Sequence, residues 1–420
     1  MIVYLLSVAV LLLILEPLFT YYWDSKKLRR FPNASFLSGI SDVGYILQRY
    51  RGFRSKEIHE SHLQHPVVRV GPNSLSFSTP DAIRAIYGHN TPCLKGGTYV
   101  TAAGTHPSLL DVVDKQEHAR KRRILSHAFA TRNLEQWEFK VTDKVQKLVA
   151  QFDLLCHDKQ EAIVDFRMWS NLFTIEAIAD IALSHHLGCL TQGSDLVTIT
   201  TKDDKYGDAR NLEIAEIEAE VATLLDAGSD TTAISLTHAM YFLMKTPAAL
   251  SRLRDELRVA LDGSQEIAKY ATVKNLPYLY ACINESLRLL PPVAFGLNRM
   301  TPPEGLMIDG TWIPGNTLVG VPAYTAHRSP LFSNSEQYQP EKWLEDGIKE
   351  TQGTFIPFST GARGCIGRNI SYIEQTVLLA TLVQRYDLSL VDPEGNLDHE
   401  EAFNLWPGPL PLKIRRRENC

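Results

Sequence analysis

The chain has 420 residues, 44% of them hydrophobic and 22% charged, with a formal net charge of −5. Such a chain can bury a substantial core as one large domain or two modest ones, and its charge gives no global electrostatic reason to bind nucleic acid. Its six cysteines lie at wide spacings, which excludes the dense pattern of a small secreted scaffold and the paired CxxC of a zinc site, and suits a reducing compartment.

From the amino terminus, Ile2 to Leu15 is nearly unbroken Leu, Val, Ile and Ala, and the apolar character resumes after Glu16-Pro17 through Leu18, Phe19, Tyr21, Tyr22 and Trp23. The run is long enough to cross a bilayer. Its aromatic end followed by Lys26, Lys27, Arg29 and Arg30 reads as an interfacial belt with a cytosolic positive flank. A cleaved signal peptide is the alternative, but no small-residue cleavage site follows. The expected organisation is therefore a transmembrane anchor at 1–23, a basic linker at 24–32 ending in Phe31-Pro32, and a cytosolic globular domain over 33–420.

Within that domain, His59, His62 and His65 recur every three residues without a carboxylate or cysteine to complete a metal site, and are read as a surface helix. Val67 to Phe77 alternates around Gly71-Pro72 and predicts a β-hairpin. Asp111 to Ala182 reads almost entirely as helix, and its basic run Arg120 to Arg123 as a solvated face. Cys189 to Leu212 is polar and reads as a loop. The longest helix is predicted over Asn211 to Met244, with Asn211 as N-cap and a stripe of Ile214, Ile217, Val221, Leu224 and Leu225. Another runs from about Val273 to Leu290 and stops at Pro291-Pro292. Short strands are predicted between Met307 and Val321, and a last major helix after Gly367. Arg415 to Asn419 reads as a frayed end. The sequons at Asn33 and Asn369 fall on the cytosolic side and are expected to stay unmodified.

Three segments carry chemistry. In Phe358-Ser359-Thr360-Gly361-Ala362-Arg363-Gly364-Cys365-Ile366-Gly367, the glycines permit a tight turn that aims backbone amides at one sulfur, and the following helix adds a positive dipole end. Both favour a thiolate, which on iron pushes electron density toward oxygen. In Ala227-Gly228-Ser229-Asp230-Thr231, a glycine beside a hydroxyl that can bond back into the ladder can open the long helix locally. In Glu285-Ser286-Leu287-Arg288, the i to i+3 spacing puts carboxylate and guanidinium on one helix face.

The cysteine segment stands as the FxxGxRxCxG signature, and nearly the whole chain resembles the cytochrome P450 family, in wording close to fungal microsomal members related to benzoate hydroxylases and secondary-metabolite oxygenases. The resemblance implies a mainly α fold with small β-sheets, haem b as cofactor, and Cys365 as the axial ligand to its iron, within the loop of Phe358, Gly361 and Gly367. It implies propionate contacts from Arg363 and Arg299, and from His118 and Arg122, which match a WxxxR pair with histidine replacing tryptophan. It assigns Thr231 to oxygen activation through hydrogen bonding and Asp230 to proton relay, with Ala227 and Gly228 as the oxygen groove. It makes Glu285 and Arg288 a structural pair that an arginine of a PERF-like motif normally joins.

The implied activity is insertion of one atom of O2 into a hydrophobic small molecule, in fungal secondary metabolism. The implied partners are NADPH-cytochrome P450 reductase, with cytochrome b5 as an optional second donor, and endoplasmic reticulum lipid. Pro292 to Leu297 offers an apolar wall for the substrate. Arg120, Lys121 and Arg123 are either an exposed basic helix or a seat for an acidic flavoprotein donor. Two departures bear on function. Lys342 of Pro340-Glu341-Lys342-Trp343 lacks the planar fork of arginine, so the triad is expected to be weakened or rearranged. Residues 189–212 are too few for the helix pair that roofs the pocket in the family. A low-activity or vestigial haem-binding protein is thus the alternative; a peroxide-using rearranging enzyme is argued against by the Asp230-Thr231 pair.

Overall fold

The computed structural model describes residues 1, 15–102, 104–157, 161–193, 214–261, 266–345, 348–351 and 353–417. Most of the anchor run and the N-cap position Asn211 therefore lie outside the described residues, as does most of 189–212, of which Cys189–Gln192 forms a four-residue helix. Among the described residues no helix is long and apolar enough to cross a membrane.

The principal helices are α1 (Val43–Tyr50), α2 (Arg54–His62), α3 (Pro80–Tyr87), α4 (Lys115–Ala128), α5 (Glu138–His157), α6 (Phe166–Leu183), α7 (Ile214–Lys245), α8 (Pro247–Ala260), α9 (Pro277–Leu289) and α10 (Arg368–Arg385). α7 is the spine, and α6, α9 and α10 pack along it. The main apolar core lies among these helices, where Leu236, Met240, Leu243, Leu279, Ile283, Val377, Leu378 and Leu382 are all fully buried. α9 starts at Pro277, not near Val273, because the proline ring suits the first helical position.

A five-stranded sheet with order β1-β2-β8-β5-β3 flanks the helices; its strands are β1 (Val67–Gly71), β2 (Ser74–Phe77), β3 (Leu94–Lys95), β5 (Arg299–Met300) and β8 (Leu318–Gly320). The hairpin expected from Val67 to Phe77 is its β1–β2 pair. Between β5 and β8 the hairpin of β6 (Leu306–Ile308) and β7 (Thr311–Ile313) turns at Asp309-Gly310, both with positive φ, the combination a two-residue type I′ turn requires.

Three sequence readings are corrected. The stretch from Asp111 to Ala182 is not continuous helix, because β4 (Ala162–Asp165) interrupts it and pairs with β12 (Pro411–Arg416), itself paired with β9 (Tyr386–Leu390). Arg415 and Arg416 likewise belong to a sheet and not to a frayed end, paired with Asp387 and Tyr386 of β9, a partner outside any local sequence window. The histidine-bearing helix α2 is not simply a surface element, since His62 is buried and its Nε2 meets Ser76 Oγ at 2.8 Å.

Burial keeps several histidines neutral. Desolvation depresses His62 to about 4, and His118 and His327 to about 3; it lowers His59, His238 and His399 as well. A histidine depressed in the folded state is protonated first in the unfolded chain, so each one removes stability as pH falls from about 6.5 towards its folded value. Asp230, Glu374 and Glu401, which burial raises, act in the opposite direction, but three carboxylates oppose six histidines. The urea midpoint is therefore expected to fall between pH 7 and pH 5; a midpoint that rises on acidification contradicts the neutral assignments.

Candidate active site

The cysteine loop is shaped by close approach. Ser359 and Gly361 have positive φ, and a Cβ on Gly361 would lie 2.0 Å from the carbonyl oxygen of Tyr87, at the end of α3. The chain then makes one 3-10 turn over Gly361–Arg363, and the amide of Cys365 donates to Phe358 O at 2.8 Å. The Cys365 side chain keeps exposed surface although protein atoms crowd the sulfur. Desolvation raises its pKa, while the amides of Gly367 and Arg368 and the charges of Arg122 and Arg368 pull it down. These are the donors and dipole end expected at the start of α10.

Above the loop, α7 is tied to α10 by Thr232 Oγ1 and Ser371 Oγ, 3.1 Å apart. Thr231, the preceding residue, donates its hydroxyl to Ala227 O at 2.7 Å, and Ser229 donates to Leu225 O at 2.7 Å. Gly228 faces α6: a Cβ there would stand 2.7 Å from Ile178 Cγ1, so this glycine lets the two helices touch. Asp230 is half-buried and carries a pKa raised to about 6 by desolvation and then by Asp226, opposed by Ser229 and Arg167.

Beside the loop lies a buried group of cations. Lys95 on β3 and Arg299 on β5 are register partners, and both side chains are buried with His118 of α4. Desolvation and then Arg363 and Arg299 depress Lys95 to about 7; desolvation and then Arg299 depress Arg363 to about 10. His118 is depressed by desolvation, Arg363, Lys95, Arg122 and Arg299 in that order. Arg363 also donates to the carbonyls of Val112 and Val113, and Arg122 to Gly364 O. Asp111 and Glu220 only partly offset this charge at Lys95. Mutually repelling desolvated cations suit a dianion, so the group would fit the two propionates of a haem. Lys95 was missed because a lysine in a two-residue strand has no distinguishing sequence context.

Glu285 and Arg288 are completely buried and bond in a bidentate fork through the Nε and Nη2 edge of the guanidinium, at 2.8 and 2.9 Å. Arg288 also donates to the carbonyls of His327, Ser335 and Gln337. Lys342 does not enter this pair. Its ammonium donates to the carbonyls of Ser333 and Asn334, and the indole Nε1 of Trp343 takes the vacant position, donating to Glu285 Oε2 at 2.9 Å. The triad is thus rearranged. His327 passes it onward: its Nδ1 meets Arg288 O at 3.1 Å, and its Nε2 accepts from the amide of Ile356 at 2.9 Å, just before the cysteine loop. Trp343→Phe should cost about 1–3 kcal/mol by leaving a buried carboxylate oxygen short of a donor. A thermal midpoint unchanged from that of the native chain would contradict the rearrangement.

The basic run of α4 is also not a solvated face throughout. Lys121 is buried against Glu220 at 3.2 Å and Glu216 at 3.0 Å, and Arg120 pairs with Glu117 and Glu216, so these two hold α4 to α7 and only Arg123 remains exposed.

A model of the family described as Cytochrome P450 matches residues 193–414, slightly more than half of the chain. The chain belongs to the cytochrome P450 family. It is accordingly an oxidoreductase of the monooxygenase type with haem b as cofactor. Cytochrome P450 monooxygenase efuB of Hormonema carpetanum is 29% identical, with 90% of this chain and 89% of the relative covered. Benzoate 4-monooxygenase bphA of Aspergillus niger is 26% identical, with 94% of each covered. That match runs over 491 positions against the 420 residues here, so at least 71 positions of the relative have no counterpart in this P450. The crystal structure of the cytochrome P450DA heme domain shares the fold at a TM-score of 0.76 and 16% identity, covering 89% of this chain and 95% of that one.

Proposed function

We propose that this P450 inserts one oxygen atom into a hydrophobic small molecule in fungal secondary metabolism, with Cys365 as the haem ligand. The observation that carries the reading is the amide-ringed Cys365 just before α10, a helix joined through Ser371 and Thr232 to that of Asp230 and Thr231, beside the buried cations Lys95 and Arg299 and the half-buried Arg363. When bound, a thiolate-ligated haem supplies oxygen activation driven by two electrons and two protons.

The residues of the chain do the rest. Lys95, His118, Arg122, Arg299 and Arg363 hold the propionates; Gly367 and Arg368 stabilise the sulfur; Thr231 and Asp230 hold and move protons. Phe295 and Phe403, with ring centroids 5.3 Å apart, give the substrate an aromatic wall. Phe403 escaped the sequence reading because only folding of the strands His399–Glu401 and Leu405–Pro407 carries it to Phe295.

The electron donor is a flavoprotein reductase. Membrane attachment rests on exposed Phe19, Tyr22 and Trp23, with Phe36, Ile46, Leu47 and Tyr50 near them in sequence. Lys26 and Arg30 serve a second purpose, donating to Asn73, Asn316 O and Trp312 O and so fixing this segment against the sheet. The proposed location is the endoplasmic reticulum membrane, with the catalytic domain in the cytosol.

A second reading, a haem-binding protein of low activity, draws on the 71 or more positions without counterpart, because an open pocket leaks water and uncouples oxygen reduction. The deciding assay measures NADPH consumption with a reductase present against hydroxylated product, using benzoate and naphthalene as probes. Product above that of Cys365→Ser supports the monooxygenase; consumption without product supports the second reading.

A further inference from the structure

The acid-hydroxyl pair Asp230-Thr231 has a second acidic neighbour on α7. Asp226 lies one helical turn before Asp230, and side chains four apart share a helix face. The two differ in setting: Asp226 is exposed, Asp230 is half-buried, and Ser229 between them is buried with its hydroxyl 3.3 Å from Asp230 Oδ1. The other faces of α7 here are occupied, Gly228 against Ile178 of α6 and Thr232 against Ser371 of α10. The Asp226–Asp230 face therefore runs from an exposed carboxylate to a half-buried one that adjoins Thr231 in the chain.

We propose that Asp226 is a positioning residue for oxygen activation: its carboxylate holds a proton on Asp230 and provides the solvent contact through which Asp230 is refilled. The inference rests on the monooxygenase reading of the site. In each cycle Asp230 releases one proton inward at Thr231, becomes a carboxylate, and regains one proton from bulk water at Asp226. Electrons are not involved, and Asp226 is unchanged at the end.

The charged groups facing Asp230 give the sign. From its own helix Asp226 raises its pKa; from α6 Arg167 lowers it, with its guanidinium 5.5 Å from the Trp406 ring centroid; Ser229 lowers it by hydrogen bonding. Removing the charge of Asp226 leaves Arg167 unopposed, so Asp230 loses its proton at lower pH.

The test uses the haem-loaded full chain and the infrared carboxylic acid band of Asp230, titrated from pH 4 to 8 and assigned by its loss in Asp230→Asn. Glu374, a second buried acid, is removed from the signal by the same subtraction. Asp226→Asn is expected to lower the inflection by about one pH unit, so that roughly tenfold less Asp230 is protonated at pH 7. Asp226→Glu should restore the native inflection. The pH profile of NADPH-driven oxygen consumption with a reductase, which needs no identified substrate, should move with the band. An inflection that stays in place or rises in Asp226→Asn, or an oxygen-consumption profile that ignores its shift, overturns the proposal. Failure of the monooxygenase reading is separate: it shows as absence of a thiolate-type spectrum in the native chain, whatever the infrared band does.

Discussion

Cys365→Ser is expected to lower reductase-supported product formation by at least about a hundredfold, equivalent to roughly 2.7 kcal/mol of barrier, because the hydroxyl cannot replace the electron donation of a thiolate. Haem binding should weaken without vanishing, since the cation group of Lys95, Arg299 and Arg363 is untouched. Cys282→Ser is the control. That thiol is completely buried on α9 and raised by desolvation, the setting of an inert core cysteine, and its removal should leave product formation in place. Equal loss in both variants would mean that the effect is general destabilisation.

The second large effect is expected at the Glu285–Arg288 pair. Arg288→Ala removes the guanidinium from a carboxylate with no solvent access and leaves the carbonyls of His327, Ser335 and Gln337 without their donor. Breaking a buried pair in this way costs about 3–5 kcal/mol, a large share of the 5–15 kcal/mol typical of a folded domain. Because His327 joins Arg288 to Ile356, the cysteine loop should loosen as well, and haem content per chain should fall with the urea midpoint. Arg288→Lys keeps the charge but not the fork and should lie between the two. A variant with native haem content and midpoint would show that the Trp343 indole and the backbone amide of Gln339, which donates to Glu285 Oε1 at 3.0 Å, suffice to hold Glu285.

The parts of this molecule legible in the sequence are those where local chemistry fixes the outcome. The cysteine loop is one: Gly361 is needed for its positive φ and its close approach to Tyr87 O, and the apolar run after it marks a buried helix. The β6–β7 turn at Asp309-Gly310 is another. What was not legible depends on partners distant in the chain. β4 exists because the carboxy-terminal strand pairs with it. Lys121 is buried because α7 brings Glu216 and Glu220 to it. Lys342 could be recognised as a departure, but that Trp343 compensates for it required knowing where the indole points.

Asp230 shows the same division. Its place beside Thr231 could be read from five residues, whereas its raised pKa comes from burial and from the charge balance of Asp226 against Arg167 across two helices. Helix spacing alone places Asp226 near it. Only the structure shows that one of the two is exposed and the other half-buried, the difference on which a proton path depends.

Ligation of haem iron by Cys365 is tested most directly on the reduced protein treated with carbon monoxide. A Soret band displaced to long wavelength, present in the native chain and absent in Cys365→Ser, is the predicted result. A band at the position given by a nitrogen or oxygen ligand, or one that survives Cys365→Ser, would contradict it.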